Sequence, residues 1–144
     1  MDDIYNLQRF VDAQGPVFDQ ALGELREGRK QSHWMWFVFP QITGLGRSET
    51  ARFYAITGIE EARAYLEHPL LGPRLEECAR IIEPQLQWTA RQIFGSPDDI
   101  KLQSSMTLFA VAAPQRTIFQ AVLDTFYDGT RDPLTLEKLD SQQL

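Results

Sequence analysis

Apolar residues recur every three or four positions along most of this chain, and single glycines and prolines interrupt the pattern at short intervals. Such spacing puts apolar side chains on one face of a helix, and the breakers limit each helix to a few turns. The alternation of apolar and polar residues that indicates β-strands is almost absent. We therefore expect a mainly α fold, a single compact bundle of six to eight short helices.

Length and composition indicate one folded domain. A chain of 144 residues can bury a hydrophobic core, and 43% apolar with 24% charged residues is typical of globular proteins. No repeat, linker or low-complexity tract divides the sequence. We expect a single domain over residues 1–144.

Charge and cysteine content exclude several classes of protein. The formal net charge of −6 disfavours nucleic-acid binding through broad phosphate neutralisation. Cys78 is the only cysteine and there are two histidines, so we predict no internal disulfide, no metal site and no cofactor. No segment has the features of a secretory signal or a membrane span, which predicts a cytoplasmic protein. Composition leaves the oligomeric state open.

The densest cluster of unusual side chains covers residues 29–41. Two cations, a hydroxyl and an imidazole come first, and four aromatic residues follow between Trp34 and Phe39. Aromatic side chains at this density are typical of a protein core. Neither face of residues 34–39 is polar, so this stretch fits either a short buried extended segment or a helical turn.

The polar residues that open this cluster have the chemistry to bind a phosphate-bearing ring. Arg29 and Lys30 supply positive charge, Ser32 supplies a donor, and Trp34 supplies a stacking surface. His33 titrates near neutral pH and is a candidate acid or base. The alternatives are that the two cations only complement the end of the preceding helix, and that His33 is a hydrogen-bonded core residue.

A glycine turn follows the aromatic residues. Gly44 and Gly46 precede Ser48, which we predict as the N-cap of a helix, and free backbone amides there can hold an anion. Glu49 is the carboxylate best placed to act as a second catalytic residue. The alternative is an ordinary turn that starts a helix.

A third polar cluster lies on a predicted helix that begins at Asp98. Lys101, Ser104 and Ser105 share one helix face at i, i+3 and i+4, so they can point together at a ligand. The alternative is that the serines permit close helix packing and bond their hydroxyls back to backbone carbonyls.

Together these clusters predict a site for a small anionic metabolite, phosphorylated or nucleotide-like. If the protein is an enzyme, hydrolysis of a glycosidic or phosphate-linked bond fits best, with His33 or Glu49 moving protons. The alternative function is a protein-interaction module that presents Trp34 and Trp36 and has no catalytic role. Exposure of both rings would favour that module.

Long segments resemble the bacterial family catalogued as domain of unknown function 1810. The resemblance covers nearly the whole chain and is carried by residues 7–14, 21–41, 44–46, 65–72 and 101–109. It implies a compact, largely helical protein without an established activity. Members are sometimes labelled calpastatin, which does not fit a chain with a core pattern throughout. A looser similarity to NADAR proteins, helical hydrolases of N-glycosidic bonds, implies an N-glycosidase as one possible activity.

Overall fold

The computed structural model describes residues 3–142, and ten helices occur in that range. They are α1 (Gln8–Gln14), α2 (Phe18–Arg26), α3 (Met35–Val38), α4 (Glu49–Phe53), α5 (Ile59–Glu67), α6 (Leu71–Ile82), α7 (Ala90–Phe94), α8 (Asp98–Ala112), α9 (Ile118–Tyr127) and α10 (Pro133–Gln142). The expected mainly α fold is confirmed. The number of helices exceeds six to eight because α3, α4 and α7 have only four or five residues, too few to produce a visible period.

Helix α8 lies at the centre of the fold. It packs against α5, α7, α9 and α10, and α6 joins α2, α5 and α9 on the far side. Leu102, Met106 and Phe109 of α8 are fully buried, but so are Ser105 and Thr107. A helix buried on all sides needs no apolar stripe, which explains the mixture of side chains along it. Its first turns remain open to solvent and carry the polar groups of the candidate site.

Residues 34–39 form a helical turn, so the extended alternative for this stretch is wrong. Trp34, Met35, Val38 and Phe39 are all buried. Their spacing of i, i+1, i+4 and i+5 brings them to one side of α3, which a strand would not do. Trp36 lies on the other side and is only partly buried. Pairing of strand type within residues 3–142 is limited to one isolated parallel bridge between residues 42 and 56.

The predicted start of α4 is confirmed, because Ser48 Oγ accepts the backbone N–H of Ala51 at 3.1 Å. A buried ion pair holds the other end of α4. Arg9 lies 2.9 Å from Glu61 and donates hydrogen bonds to the carbonyls of Phe53 and Ala55. Helix α4 itself has no buried residue. Its position therefore depends on these polar contacts at its two ends.

Candidate functional site

A cavity of about 430 Å³ opens where the first turns of α8 face the start of α10 and the loop before α4. We call it the α8 cavity, and it is lined by Trp36, Gln41, Leu45, Gly46, Arg47, Ser48, Ala51, Pro97, Ile100, Lys101, Ser104, Asp132 and Leu134. Its size and its mixture of apolar wall with a few polar groups are typical of sites for small molecules.

Helix α8 contributes Lys101 and Ser104, which are one turn apart on the same face. The Lys101 Nζ lies 5.0 Å from the centre of the Trp36 ring and 3.5 Å from Asp98 Oδ1. The cavity thus combines a cation with an aromatic surface. That combination suits a planar ligand with a negative charge.

Asp98 separates Lys101 from the second predicted cation, Lys30. The Lys30 Nζ lies 2.9 Å from Asp98 Oδ2 and 5.1 Å from the centre of the Trp34 ring. Because its side chain is only 8% exposed, Lys30 is held in this closer pair and does not line the α8 cavity. Lys101 has the longer contact with Asp98 and is the cation that can reach a ligand.

Asp132 supplies a nearly buried carboxyl group to the cavity wall, with 6% of its surface exposed. It caps α10: its Oδ2 accepts the Thr135 N–H at 3.2 Å and the Thr135 hydroxyl at 2.6 Å. Ser104 Oγ lies 2.9 Å from the same oxygen. The Asp132 N–H in turn donates to Thr107 Oγ1 at 2.8 Å. These contacts fix the orientation of the carboxyl group.

The loop before α4 forms the opposite wall. A Cβ at position 46 would come within 2.5 Å of the Ala51 Cβ, so glycine permits the loop to lie close against α4. Gly46 and Ser48 both line the cavity. Arg47, which is exposed between them, gives the rim a second cation.

A shallow groove of about 530 Å³ adjoins the cavity and contains both residues that we predicted as catalytic. We call it the His33 groove, and it is lined by His33, Trp36, Phe37, Glu49, Thr50, Phe53 and Tyr54. Neither His33 nor Glu49 lines the α8 cavity. Trp36 lines both depressions and connects them.

Ser32 and Trp34 belong to a network around the buried carboxylate of Glu24. Glu24 Oε1 accepts the Trp34 Nε1–H at 2.9 Å and the Ser32 N–H at 3.0 Å, and Ser32 Oγ donates to Oε2. Burial raises the pKa of Glu24, but the hydrogen bonds from Ser32, Gln31 and Trp34 outweigh that effect and lower its pKa to about 2. Ser32 and Trp34 are therefore satisfied within the fold.

The other predicted ligand residues lie away from both depressions. Arg29 is exposed on the far side of the Glu24 network, and Gly44 is exposed beside the side chain of Lys138. Ser105 is fully buried, and its hydroxyl has no hydrogen-bond partner among residues 3–142. Of the ligand residues predicted from sequence, Gly46, Ser48, Lys101 and Ser104 come together in the α8 cavity.

Sequence reasoning missed Asp132, Gln41 and Arg47, and it considered Trp36 only for protein interaction. A signal for Asp132 was present. Aspartate directly before Pro133, with Thr135 three positions on, is a typical helix N-cap pattern. That pattern locates the start of α10 but not its neighbour, because Ser104 lies 28 positions earlier in the chain.

Two searches of the described residues gave negative results. No group of three or more His, Cys, Asp or Glu side chains within residues 3–142 is arranged to hold a metal ion. In the same part of the chain, no helix has both the length and the apolar character needed to cross a membrane.

The chain is similar to proteins already grouped by sequence and structure. The family model "Protein of unknown function (DUF1810)" matches residues 4–139. The crystal structure of the conserved hypothetical protein Rv1873 from Mycobacterium tuberculosis aligns with a TM-score of 0.94 at 51% identity, covering 96% of this chain and 99% of that one. Comparison with curated proteins gave no match. Since the family match spans nearly all of the sequence, the chain belongs to the DUF1810 family.

Proposed function

We propose that the α8 cavity binds a small planar metabolite with an anionic group, of the nucleoside monophosphate class. The observation that carries this proposal is that Lys101, Ser104, Gly46 and Ser48 line one cavity together with the ring of Trp36. Three of the polar and glycine clusters of the sequence contribute to the two adjoining depressions. A ligand that needs both stacking and charge meets both within the cavity.

Trp36 is the group against which a planar ring would stack. Its ring is partly buried and therefore held in place, and Leu45, Ala51 and Pro97 provide apolar wall around it. Stacking of a nucleobase on an aromatic side chain contributes about 1–3 kcal/mol. This contribution does not depend strongly on which base is bound.

Lys101 is the cation best placed for the anionic group. Its contact with Asp98 is 3.5 Å, longer than the 2.9 Å contact that Asp98 makes with Lys30. A phosphate or carboxylate in the cavity can therefore bond to Lys101 while Asp98 stays paired with Lys30. Arg47 on the rim adds a second positive charge that attracts an anion toward the opening.

The proposal has a hydrolytic form, supported by the fact that His33 and Glu49 share the groove on the other side of Trp36. A ligand that crosses Trp36 would put a glycosidic bond beside them. Hydrolysis of an N-glycosidic bond, as in NADAR proteins, breaks the bond between sugar carbon and base nitrogen, adds the hydroxyl of water to the carbon and returns a proton to the base. His33 or Glu49 would transfer that proton.

Release of free base from a nucleoside monophosphate tests the hydrolytic form. We expect chromatography to detect adenine after AMP is incubated with the wild-type protein, and Glu49→Gln to abolish the release while binding persists. Binding without any release of base by the wild-type protein would rule out this form for AMP and leave the binding proposal intact.

A protein-interaction module built on Trp34 and Trp36 is less well supported. Trp34 is only 1% exposed, and its indole N–H is bonded to Glu24, so the two rings do not form a shared exposed face. Trp36 lines a concave cavity instead of a flat apolar patch.

Binding can be tested by thermal shift and titration calorimetry with AMP, CMP, GMP, UMP and ribose 5-phosphate. We expect at least one nucleotide to raise the melting temperature. Lys101→Met and Trp36→Leu should each weaken its affinity about tenfold or more, which corresponds to about 1.4 kcal/mol.

Two exposed residues outside the cavity provide matched controls. Arg80→Met removes a cation from α6, and Trp88→Leu removes an exposed indole, so neither should change the affinity. The proposal is contradicted if no compound binds the wild-type protein, or if the Lys101 and Trp36 variants bind as well as the two controls.

A further inference from the structure

The two oxygens of the Asp132 carboxyl group have different surroundings. Oδ2 lies within hydrogen-bond distance of Ser104 Oγ, the Thr135 N–H and the Thr135 hydroxyl. No donor within residues 3–142 is bonded to Oδ1, and Oδ1 is not among the fully buried atoms that lack a partner. Since Asp132 lines the α8 cavity and is otherwise nearly buried, Oδ1 is the acceptor that it offers to a molecule in the cavity.

We propose that Asp132 determines ligand specificity, because it selects molecules that point an N–H or O–H donor at Oδ1. This inference rests on the proposed binding function of the α8 cavity. A ligand that fills the cavity displaces water from Oδ1, and an acceptor left without a partner costs free energy. Sites with such an acceptor strongly reject analogues that lack the donor.

The hydrogen bonds to Oδ2 also determine what an asparagine at this position would do. The Thr135 backbone N–H can only donate, so the side-chain carbonyl oxygen of the Asp132→Asn variant must take the place of Oδ2. Its amide nitrogen then takes the place of Oδ1 and presents a donor to the cavity. Asparagine is as good an N-cap as aspartate, so the start of α10 should be preserved. The substitution thus reverses the hydrogen-bond polarity of the cavity with little change in shape.

AMP and two analogues provide the probes, measured by titration calorimetry. In 6-methoxypurine riboside 5′-monophosphate the ring has no N–H group, and in 2′,3′-dideoxyadenosine 5′-monophosphate the sugar has no hydroxyl group. We expect wild-type protein to bind AMP about tenfold or more tightly than one of the analogues. The analogue that binds weakly identifies whether the donor is the ring amino group or a sugar hydroxyl.

In the Asp132→Asn variant, the preference of AMP over that analogue should disappear or be reversed. Asp128→Asn is the matched control. Asp128 is exposed at the end of α9 with a positive φ of 53°, which asparagine tolerates, and it does not line the cavity. This control should show the wild-type ranking of the three compounds.

Three results would overturn the inference, and they have different meanings for the proposed function. Equal binding of all three compounds to the wild-type protein, or an unchanged ranking in Asp132→Asn, refutes selection by Asp132 but leaves nucleotide binding intact. If AMP fails to bind while another nucleotide of the panel binds, the inference is refuted and the binding proposal stands. If no member of the panel binds the wild-type protein, both fail.

Discussion

Replacing Arg9 with methionine is expected to lower the free energy of unfolding by about 3–5 kcal/mol. The Arg9 guanidinium bonds to Glu61, whose side chain is 1% exposed, and to backbone carbonyls next to α4. Methionine fills a similar volume but leaves the Glu61 carboxylate buried without its countercharge. An unpaired buried charge costs far more than the loss of an exposed ion pair.

Denaturant unfolding measures this effect, and Arg80→Met is the matched control. Arg80 contacts Glu76 at 4.0 Å, and its side chain is 64% exposed, so its removal should change the free energy by less than about 1 kcal/mol. The double variant Arg9→Met with Glu61→Leu should recover part of the loss, because it removes the orphaned charge as well. A loss in Arg9→Met no larger than in Arg80→Met would contradict the assignment.

Replacing Glu24 with glutamine is expected to cost about 3 kcal/mol at pH 7 and much less at low pH. The pKa of Glu24 is lowered from 4.5 to about 2 in the folded state because Ser32, Gln31 and Trp34 donate to the carboxylate. A lowered pKa stabilises the fold above the unfolded-state value near 4.5. That contribution decreases as the pH falls from about 4.5 toward 2. Glutamine does not titrate and lacks it at every pH.

The difference in unfolding free energy between the wild-type protein and Glu24→Gln should therefore shrink as the pH is lowered from 5 to 3. Glu27→Gln is the control, since Glu27 is exposed at the end of the same helix. It should show a small difference at all pH values. A pH-independent loss in Glu24→Gln would mean that the effect comes from packing and not from the hydrogen-bonded charge.

Local patterns were sufficient to predict much of the fold, because helix starts depend on neighbouring residues. Ser48 caps α4 as expected, and α8 begins at Asp98 with two acidic residues in its first turn. Trp34 and Trp36 show the limit of such patterns. They are two positions apart and equally apolar, yet one is buried and the other lines a cavity. Their difference arises from the four-residue helix α3, which is too short to produce a visible period.

Parts of the candidate site could be predicted where the partners are one helical turn apart. Lys101 and Ser104 lie together because of their spacing on α8. Asp132 and Glu24 were not predicted because their partners are distant in sequence: Ser104 is 28 positions from Asp132, and Trp34 is 10 positions from Glu24. The buried role of Glu24 also explains why Ser32, which has ligand-binding chemistry, points into the fold.

The most direct test of ligand binding in the α8 cavity is a ¹⁵N–¹H NMR titration of the wild-type protein with AMP. We predict that the indole N–H signal of Trp36 and the backbone amide signals of Gly46, Lys101 and Asp132 shift together and saturate, while the indole signal of Trp88 stays unchanged. Saturable shifts confined to residues outside the cavity, or an unchanged Trp36 indole signal at saturating AMP, would contradict the account.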